Sequence, residues 1–405
     1  MRLSRRATFW SASSVLALCL WASAAASVLY PAYEAKWALP SVVITSVFGT
    51  YPIALLLVLL VFGGVSDYIG RRRSMLLGIG LIAASAVLFA VAPDVGWLFA
   101  ARALQGFGTG FAIGAASARL VENNISQNPR FASSMTTAST AAGLTLALVL
   151  SGLLAQVAPL PLVLSFILLF VLAVLSFVFV ALTPDDRPTA TGERWRPERL
   201  HLPPGTVRPF IVATLSVSVA YTVGALFLSL GSSMARQLVH TSNLVVIGAT
   251  LALSSFVIGI TALLIQRIHA HLAIVIGGVV SIAGLVAMTA TASTGSLALL
   301  LVWAAVGGTG YSLAFTGGLS LLARTTPDER RGATLSLLYL FSYFLQAAAA
   351  VGAGALATAL GLARAIAVVA PVVGLLCVAA IVLAGVDFLA RRRLVAVSVT
   401  SATTR

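Results

Sequence analysis

Side chains able to do chemistry are scarce in this sequence. Of 405 residues, 25 are Lys or Arg, 11 are Asp or Glu and 4 are His. No set of His, Cys, Asp and Glu has metal-ligand spacing. No Gly-rich loop precedes a Lys in the manner that cradles phosphates. An ATP-driven pump is therefore excluded, and neither an enzyme activity, a cofactor nor a catalytic residue is expected. Arg102 is the one charge that lies inside a long apolar run. A charge deep in a bilayer is costly and marks a functional position by default. The structural alternative is that Arg102 bonds backbone carbonyls of the first run. Proton coupling usually wants a carboxylate held in low dielectric. Glu34, Asp67, Asp94, Glu122 and Asp387 all fall near run ends. Glu34 is the best placed of them, and a solvated loop acid is an equal reading of it. His201, His240, His269 and His271 stand in links, where none serves as a mid-membrane relay.

The elements that must position these residues are apolar helices. Hydrophobic residues make up 60% of the chain and charged residues 9%, whereas soluble domains are about 25% charged. Too few charges remain to cover a soluble surface, so a soluble enzyme, a disordered chain and a disulfide scaffold are excluded. A bilayer-spanning helix needs about 20 mostly apolar residues. Twelve such runs are present, at 11–33, 41–62, 74–93, 96–118, 132–157, 161–182, 209–231, 244–266, 272–292, 296–320, 333–358 and 364–388. No alternating β pattern speaks for a membrane barrel. Cys19 and Cys377 fall inside runs and read as small apolar residues.

The formal charge of +14 is a topology signal. Arginines gather on alternate links: Arg2, Arg5 and Arg6; Arg71, Arg72 and Arg73; Arg119 and Arg130; five between Arg187 and Arg208; Arg267; Arg324, Arg330 and Arg331; and Arg391 onward. These hold 21 of the 25 basic residues, while the opposite links hold Lys36, Arg236 and Arg364. The positive-inside rule then places both termini in the cytoplasm of a multi-pass protein of the plasma (inner) membrane. Contact with anionic lipid heads follows as a secondary consequence, and no nucleic-acid partner is expected. The start of the chain also has signal-peptide traits, a basic end and Ala22-Ser23-Ala24. The apolar run continues past that point, so it reads as a span.

The longest link holds Pro184, Pro188, Pro197, Pro203 and Pro204. It predicts a cytoplasmic linker over 184–208 between two six-helix halves, 1–183 and 209–405. A shift of 200 residues brings Gly108-Thr109-Gly110-Phe111 onto Gly308-Thr309-Gly310-Tyr311. Two parallel halves with a site near mid-membrane form a known transporter plan.

The stretch Gly63-Gly64-Val65-Ser66-Asp67-Tyr68-Ile69-Gly70-Arg71-Arg72-Arg73 joins runs two and three. Gly63 suits close helix approach, and Gly70 suits a turn with positive φ. Asp67 can cap a helix or pair with an arginine. Here the chain resembles the major facilitator superfamily over essentially its whole length. The stretch 63–73 resembles that family's G-x-x-x-D-x-x-G-R-R signature. Arg102 to Gly110 resembles its R-x-x-Q-G-x-G-x-G signature, and Thr326 to Gly332 its usual link before span eleven. The resemblance implies an all-α fold of twelve spans in two six-helix bundles, and alternating access about a central cavity. It implies that Gly63, Asp67, Gly70, Arg71 and Arg72 form a conformational latch against span eleven. It also places Arg102 at the cavity edge, as a coupling or binding residue; Glu34, near the outer end of span one, is the other coupling candidate. Two departures stand out. The span-five antiporter motif keeps only Gly143 and Gly152 of Gly143, Ala147, Leu148, Ser151 and Gly152. In the second half Arg267, Ala270 and His271 replace Asp, Gly and Arg, so a one-sided latch is expected.

In the resembled fold spans one, four, seven and ten line the cavity. Trp21, Gln105, Thr109, Tyr221, Trp303 and Tyr311 are then substrate-site candidates. Span eleven adds Tyr339, Tyr343 and Gln346 on one helical face; packing is the competing reading for the aromatics. Such a pocket suits a small amphipathic molecule, neutral or anionic, better than a sugar. Efflux by a monomeric secondary carrier, with protons an open partner, is the leading expectation. Uptake by a symporter or uniporter, and a non-transporting receptor or scaffold, are the alternatives.

Overall fold

The structure is a computed structural model, and it describes residues 4–62, 65–127, 129–185, 206–265, 267–327 and 331–403. Among them every regular element is a helix. The first bundle holds α1 (Arg5–Ala25), α2 (Tyr30–Trp37), α3 (Ser41–Phe62), α4 (Val65–Ile69), α5 (Arg71–Ala90), α6 (Val95–Glu122), α7 (Pro129–Val157) and α8 (Leu164–Ala181). The second holds α9 (Val207–Gln237), α10 (Leu244–Leu264), α11 (Ala270–Thr294), α12 (Leu297–Thr325), α13 (Arg331–Leu360) and α14 (Leu362–Thr403). α1 and α2 run on through a single turn, Ser27–Leu29, as one span.

Local sequence sets the ends. Ser4, Asp94, Asn243 and Ser296 each accept a hydrogen bond from a backbone N–H in the first turn of α1, α6, α10 and α12. Such caps satisfy donors that the helix itself leaves open. Gly295 closes α11 at φ 66, a conformation that a side chain disfavours.

Among the described residues eleven spans are long and apolar enough to cross a membrane. The twelfth long helix is α6, with 28 residues. Arg102, Arg119, Gln105 and its glycines lower its hydropathy, so length and position identify it where apolarity does not. The linker over 184–208 and Gly63 lie almost wholly, and wholly, outside the described residues.

The bundles meet chiefly along two seams, α3 against α13 and α7 against α10. Small residues make both possible. A Cβ on Gly152 would stand 2.5 Å from the Leu244 carbonyl, and one on Gly248 would stand 2.6 Å from that of Leu148. Without a hydrophobic drive between helices in lipid, such backbone approach supplies the contact. Outward faces carry large exposed side chains, among them Leu57, Leu146, Leu175, Val286 and Leu375. In a bilayer these would meet lipid tails.

Candidate functional site

The glycines of α6 explain where its polar residues point. A Cβ on Gly106 would lie 2.5 Å from the Tyr51 carbonyl of α3, and one on Gly110 would lie 2.6 Å from the Val58 side chain of the same helix. A Cβ on Gly108 would lie 2.6 Å from the Gly78 carbonyl of α5. Alternate glycines thus seat α6 against two neighbours at backbone distance. The stripe Arg102, Gln105 and Thr109, at helical spacing, is driven into the bundle; all three are fully buried.

Arg102 is held by neutral groups. Its Nη1 donates to the Ser23 carbonyl at 2.9 Å and to Gln105 Oε1 at 3.0 Å. Its Nη2 donates to the Tyr30 hydroxyl at 2.5 Å. The rings of Tyr51, Tyr30 and Phe48 surround the guanidinium at 5.6, 5.8 and 5.8 Å. The carbonyl contact to the first span is the structural arrangement that the sequence offers as an alternative. Arg102 Nε, Gln105 Nε2 and Trp21 Nε1 are buried without a hydrogen-bond partner, while Thr109 lies within hydrogen-bonding reach of Tyr51 and Cys19.

Across the interface stands an aromatic group. Tyr221 of α9 stacks on Tyr311, Phe315 and Tyr339 with centroids 6.3, 5.8 and 6.4 Å away, and tilts against Tyr343 at 4.8 Å. The Tyr221 hydroxyl donates to that of Tyr343 at 3.4 Å. The Gln346 side-chain oxygen on the same face of α13 is buried and unpartnered. Tyr51 stands on α3, which packs against the α13 that carries Tyr339 and Tyr343, so the Arg102 group and the tyrosines lie on facing helices. Trp303 stands apart from them. It is buried edge-on against Phe227 at 4.6 Å, beside a void of about 10 Å³ lined also by Gly224, Ser254 and Tyr311. That is near the size of one water.

Tyr30, Tyr51, Phe48 and Phe315 belong to these groups and were missed from sequence. Phe315 repeats Tyr311 after one helical turn, a usable signal. Tyr51 and Phe48 lie on span two, which a list built on spans one, four, seven and ten passes over. The 200-residue register also shifts. By the helices they touch, Gly106 corresponds to Gly308, against α10, and Gly108 to Gly310, against α11. The spatial equivalence is therefore two residues off the sequence one, because contact with neighbours and not residue identity fixes it.

Glu34 lies outside this group. At the arginine-poor end of the seam both its oxygens accept from Ser233 Oγ at 3.4 Å. Beside it Arg236 Nη1 donates to the Pro31 carbonyl at 2.8 Å. The Val42 N–H donates to Thr358 Oγ1 at 3.0 Å, and the Leu244 N–H to Gln156 Oε1 at 2.8 Å. All of these bonds join bundle to bundle, so this end is tied shut.

At the arginine-rich end the following bonds among the described residues run within bundles. Gly70 takes φ 91 and opens α5. Arg71 pairs with Glu122 at 2.8 Å and with the half-exposed Asp67 at 3.5 Å. Arg72 pairs with Asp185 at 3.5 Å and donates to the Ala181 carbonyl. The side chains at the start of α13, which the latch would meet, lie outside the described residues. In the second bundle His271 and Arg391 both bond the buried Asp387, each at 2.8 Å. These replace the missing second turn motif by tying α11 to α14. No group of three His, Cys, Asp or Glu could hold a metal among the described residues.

Comparison with known proteins agrees with this architecture. The chain is similar to a bacterial homologue of the human lysosomal transporter Spinster in an inward-facing, occupied conformation. The TM-score is 0.74 at 15% identity, over 97% of this chain and 98% of that one. It is also similar to a D323A mutant of the nucleoside transporter NupG, with a TM-score of 0.75 at 12% identity, over 94% of this chain and all (100%) of the other. At such identities the likeness is one of fold. A stretch of 91 residues is 40% identical to the vesicular acetylcholine transporter of Rattus norvegicus. It spans 22% of this chain and 17% of that relative. The Major Facilitator Superfamily profile matches residues 12–297, well over half of the chain. The chain belongs to the Major Facilitator Superfamily.

Proposed function

We propose that the chain is a secondary carrier, not an enzyme, and that it exports a small amphipathic molecule across the plasma membrane by alternating access. The observation that carries the reading is the pairing of a buried cation in one bundle with an aromatic cage in the other. Moving the bundles apart or together would make and break such a site. In this reading the arginine-rich links face the cytoplasm, and the conformation described is closed to the outside by the Glu34, Arg236, Val42 and Gln156 bonds. Asp67, Gly70, Arg71 and Arg72, with Gly63, are the conformational latch. Trp21, Gln105, Thr109, Tyr221, Tyr311, Tyr339, Tyr343 and Gln346 contact substrate, with Trp303 behind them. The carrier works as a monomer embedded in lipid, on the linker plan 184–208.

Proton coupling through Glu34 is the weaker part of the proposal. None of the 11 acids stands in the middle of an apolar run, which favours uptake or facilitated diffusion as the second reading. Substrate-driven proton flux in inverted vesicles tests both. Acidification changes that follow substrate addition support antiport. Radiolabelled transport that persists with no pH change removes the proton, and counterflow without any ion gradient establishes the uniporter.

A further inference from the structure

We infer that the transported molecule is an organic anion, whose acid group is taken by the Arg102 and Gln105 pair and whose ring or chain lies among Tyr51 and the tyrosines of the second bundle. The inference rests on the carrier reading above and adds the sign of the substrate's charge.

Three observations carry it. First, Arg102 is a fully buried cation with no acid paired to it among the described residues. Its partners are a carbonyl, an amide oxygen and a hydroxyl, and its other neighbours are aromatic rings. These offset part of the charge but leave it formally uncancelled. Second, the buried polar atoms left open beside it are donors. Gln105 spends its oxygen on Arg102, so its Nε2 amide is turned away and free to give. Arg102 Nε and Trp21 Nε1 add further hydrogens. A carboxylate or sulfonate accepts only, and it matches such a set in charge and in hydrogen-bond sense. An ammonium would meet a like charge and find no acceptor left over on Gln105. Third, the neighbouring wall is aromatic. Tyr51 lies against Arg102 on α3, and the facing α13 carries Tyr343, which adjoins Tyr221, followed by Tyr311 and Phe315. The acid and the apolar body of one molecule would therefore find adjoining places.

In this conformation Tyr51 and Trp21 leave only 8% and 7% of their surfaces open, and Arg102 none. Entry of the acid thus requires those two rings to swing aside, and the tilt of the bundles that opens the seam would free them.

The test uses three probes with one ring system: naphthoate, naphthylmethanol and naphthylmethylammonium. Equilibrium binding to the full chain in nanodiscs is measured by dialysis, and uptake is measured in proteoliposomes. Naphthoate is expected to bind about tenfold or more tighter than the ammonium. Arg102→Gln is expected to erase that preference, so that naphthoate binds no tighter than the alcohol or the ammonium in the same variant. Gln105→Glu puts an acid against Arg102, and the ammonium or alcohol is then expected to overtake the anion. It carries the test if Arg102→Gln fails to fold. Equal or tighter ammonium binding in the unaltered chain overturns the inference. So does an anion preference that survives both substitutions, and so does the absence of naphthoate binding. Uptake of the alcohol or the ammonium in those cases leaves the carrier standing. The carrier reading falls separately, when uptake of all three matches protein-free vesicles.

Discussion

At the scale of single residues, Arg102 does two jobs that lysine cannot share. Its planar fork spans Ser23, Gln105 and Tyr30 at once, whereas an ammonium is a point donor on a flexible stem. Arg102→Lys keeps the charge but leaves at least one buried partner open, at a cost of roughly 1–3 kcal/mol. A thermal melt of the detergent-solubilised variant is expected to fall by several degrees, with transport down at least tenfold. Wild-type values would mean that charge alone suffices. Asp67→Asn is expected to abolish transport while expression and membrane insertion stay normal, because Asp67 and Glu122 share Arg71. Full rates in that variant would reduce Asp67 to a local cap. Arg102 could be singled out from sequence because a lone charge in an apolar run has no inconspicuous explanation. Its ring of Tyr30, Phe48 and Tyr51 could not, since which face of α3 turns inward depends on a neighbour's glycines.

At the scale of elements, the glycine signature in α6 is a packing code. Gly108→Ala places a methyl group against the Gly78 backbone carbonyl of α5, where no side chain can yield. A loss of about 1–3 kcal/mol is expected, read as a lower melting temperature and weaker transport. Gly114→Ala, on the same helix with nothing within 4 Å of the new Cβ, is the control. It is expected to hold or raise stability by up to about 1 kcal/mol, the ordinary helix preference for Ala. Equal effects of the two substitutions would show that the crossing is looser than the distances say. The same contacts explain why helix number was legible and register was not. Twelve apolar runs follow from composition alone, and eleven of them satisfy apolarity without help. The twelfth, α6, carries the polar stripe, and site and weakest hydropathy coincide there for one reason. Pairing the halves by residue identity missed by two positions, because a glycine's partner helix is a property of the packed bundle. The His271, Asp387 and Arg391 cluster was likewise invisible, as it joins His271 of α11 to an Asp387 and Arg391 pair of α14 that lies 116 residues further on at Asp387.

At the scale of the whole molecule, the proposed function lies in the relation between the two bundles. The bonds that cross the seam at the arginine-poor end are few and polar: Glu34 to Ser233, Arg236 to Pro31, Val42 to Thr358 and Leu244 to Gln156. Such contacts are strong enough to hold one state and weak enough to exchange, as a two-state carrier requires. Two halves and a cytoplasmic side are expectations drawn from the long linker and the arginines, and the closed end shows in the sequence only as an isolated Glu34. The seam itself also offers the most direct test. The Val42 N–H bonds Thr358 Oγ1 across it, so cysteines at these two neighbouring positions are the pair to cross-link, and the two native cysteines are buried and free. Proteoliposomes holding this double variant are assayed for uptake of whichever naphthalene probe is moved, before and after oxidation and again after reduction. Uptake is expected to stop on cross-linking and to return with dithiothreitol; uptake that continues unchanged in fully cross-linked protein would contradict alternating access between these bundles.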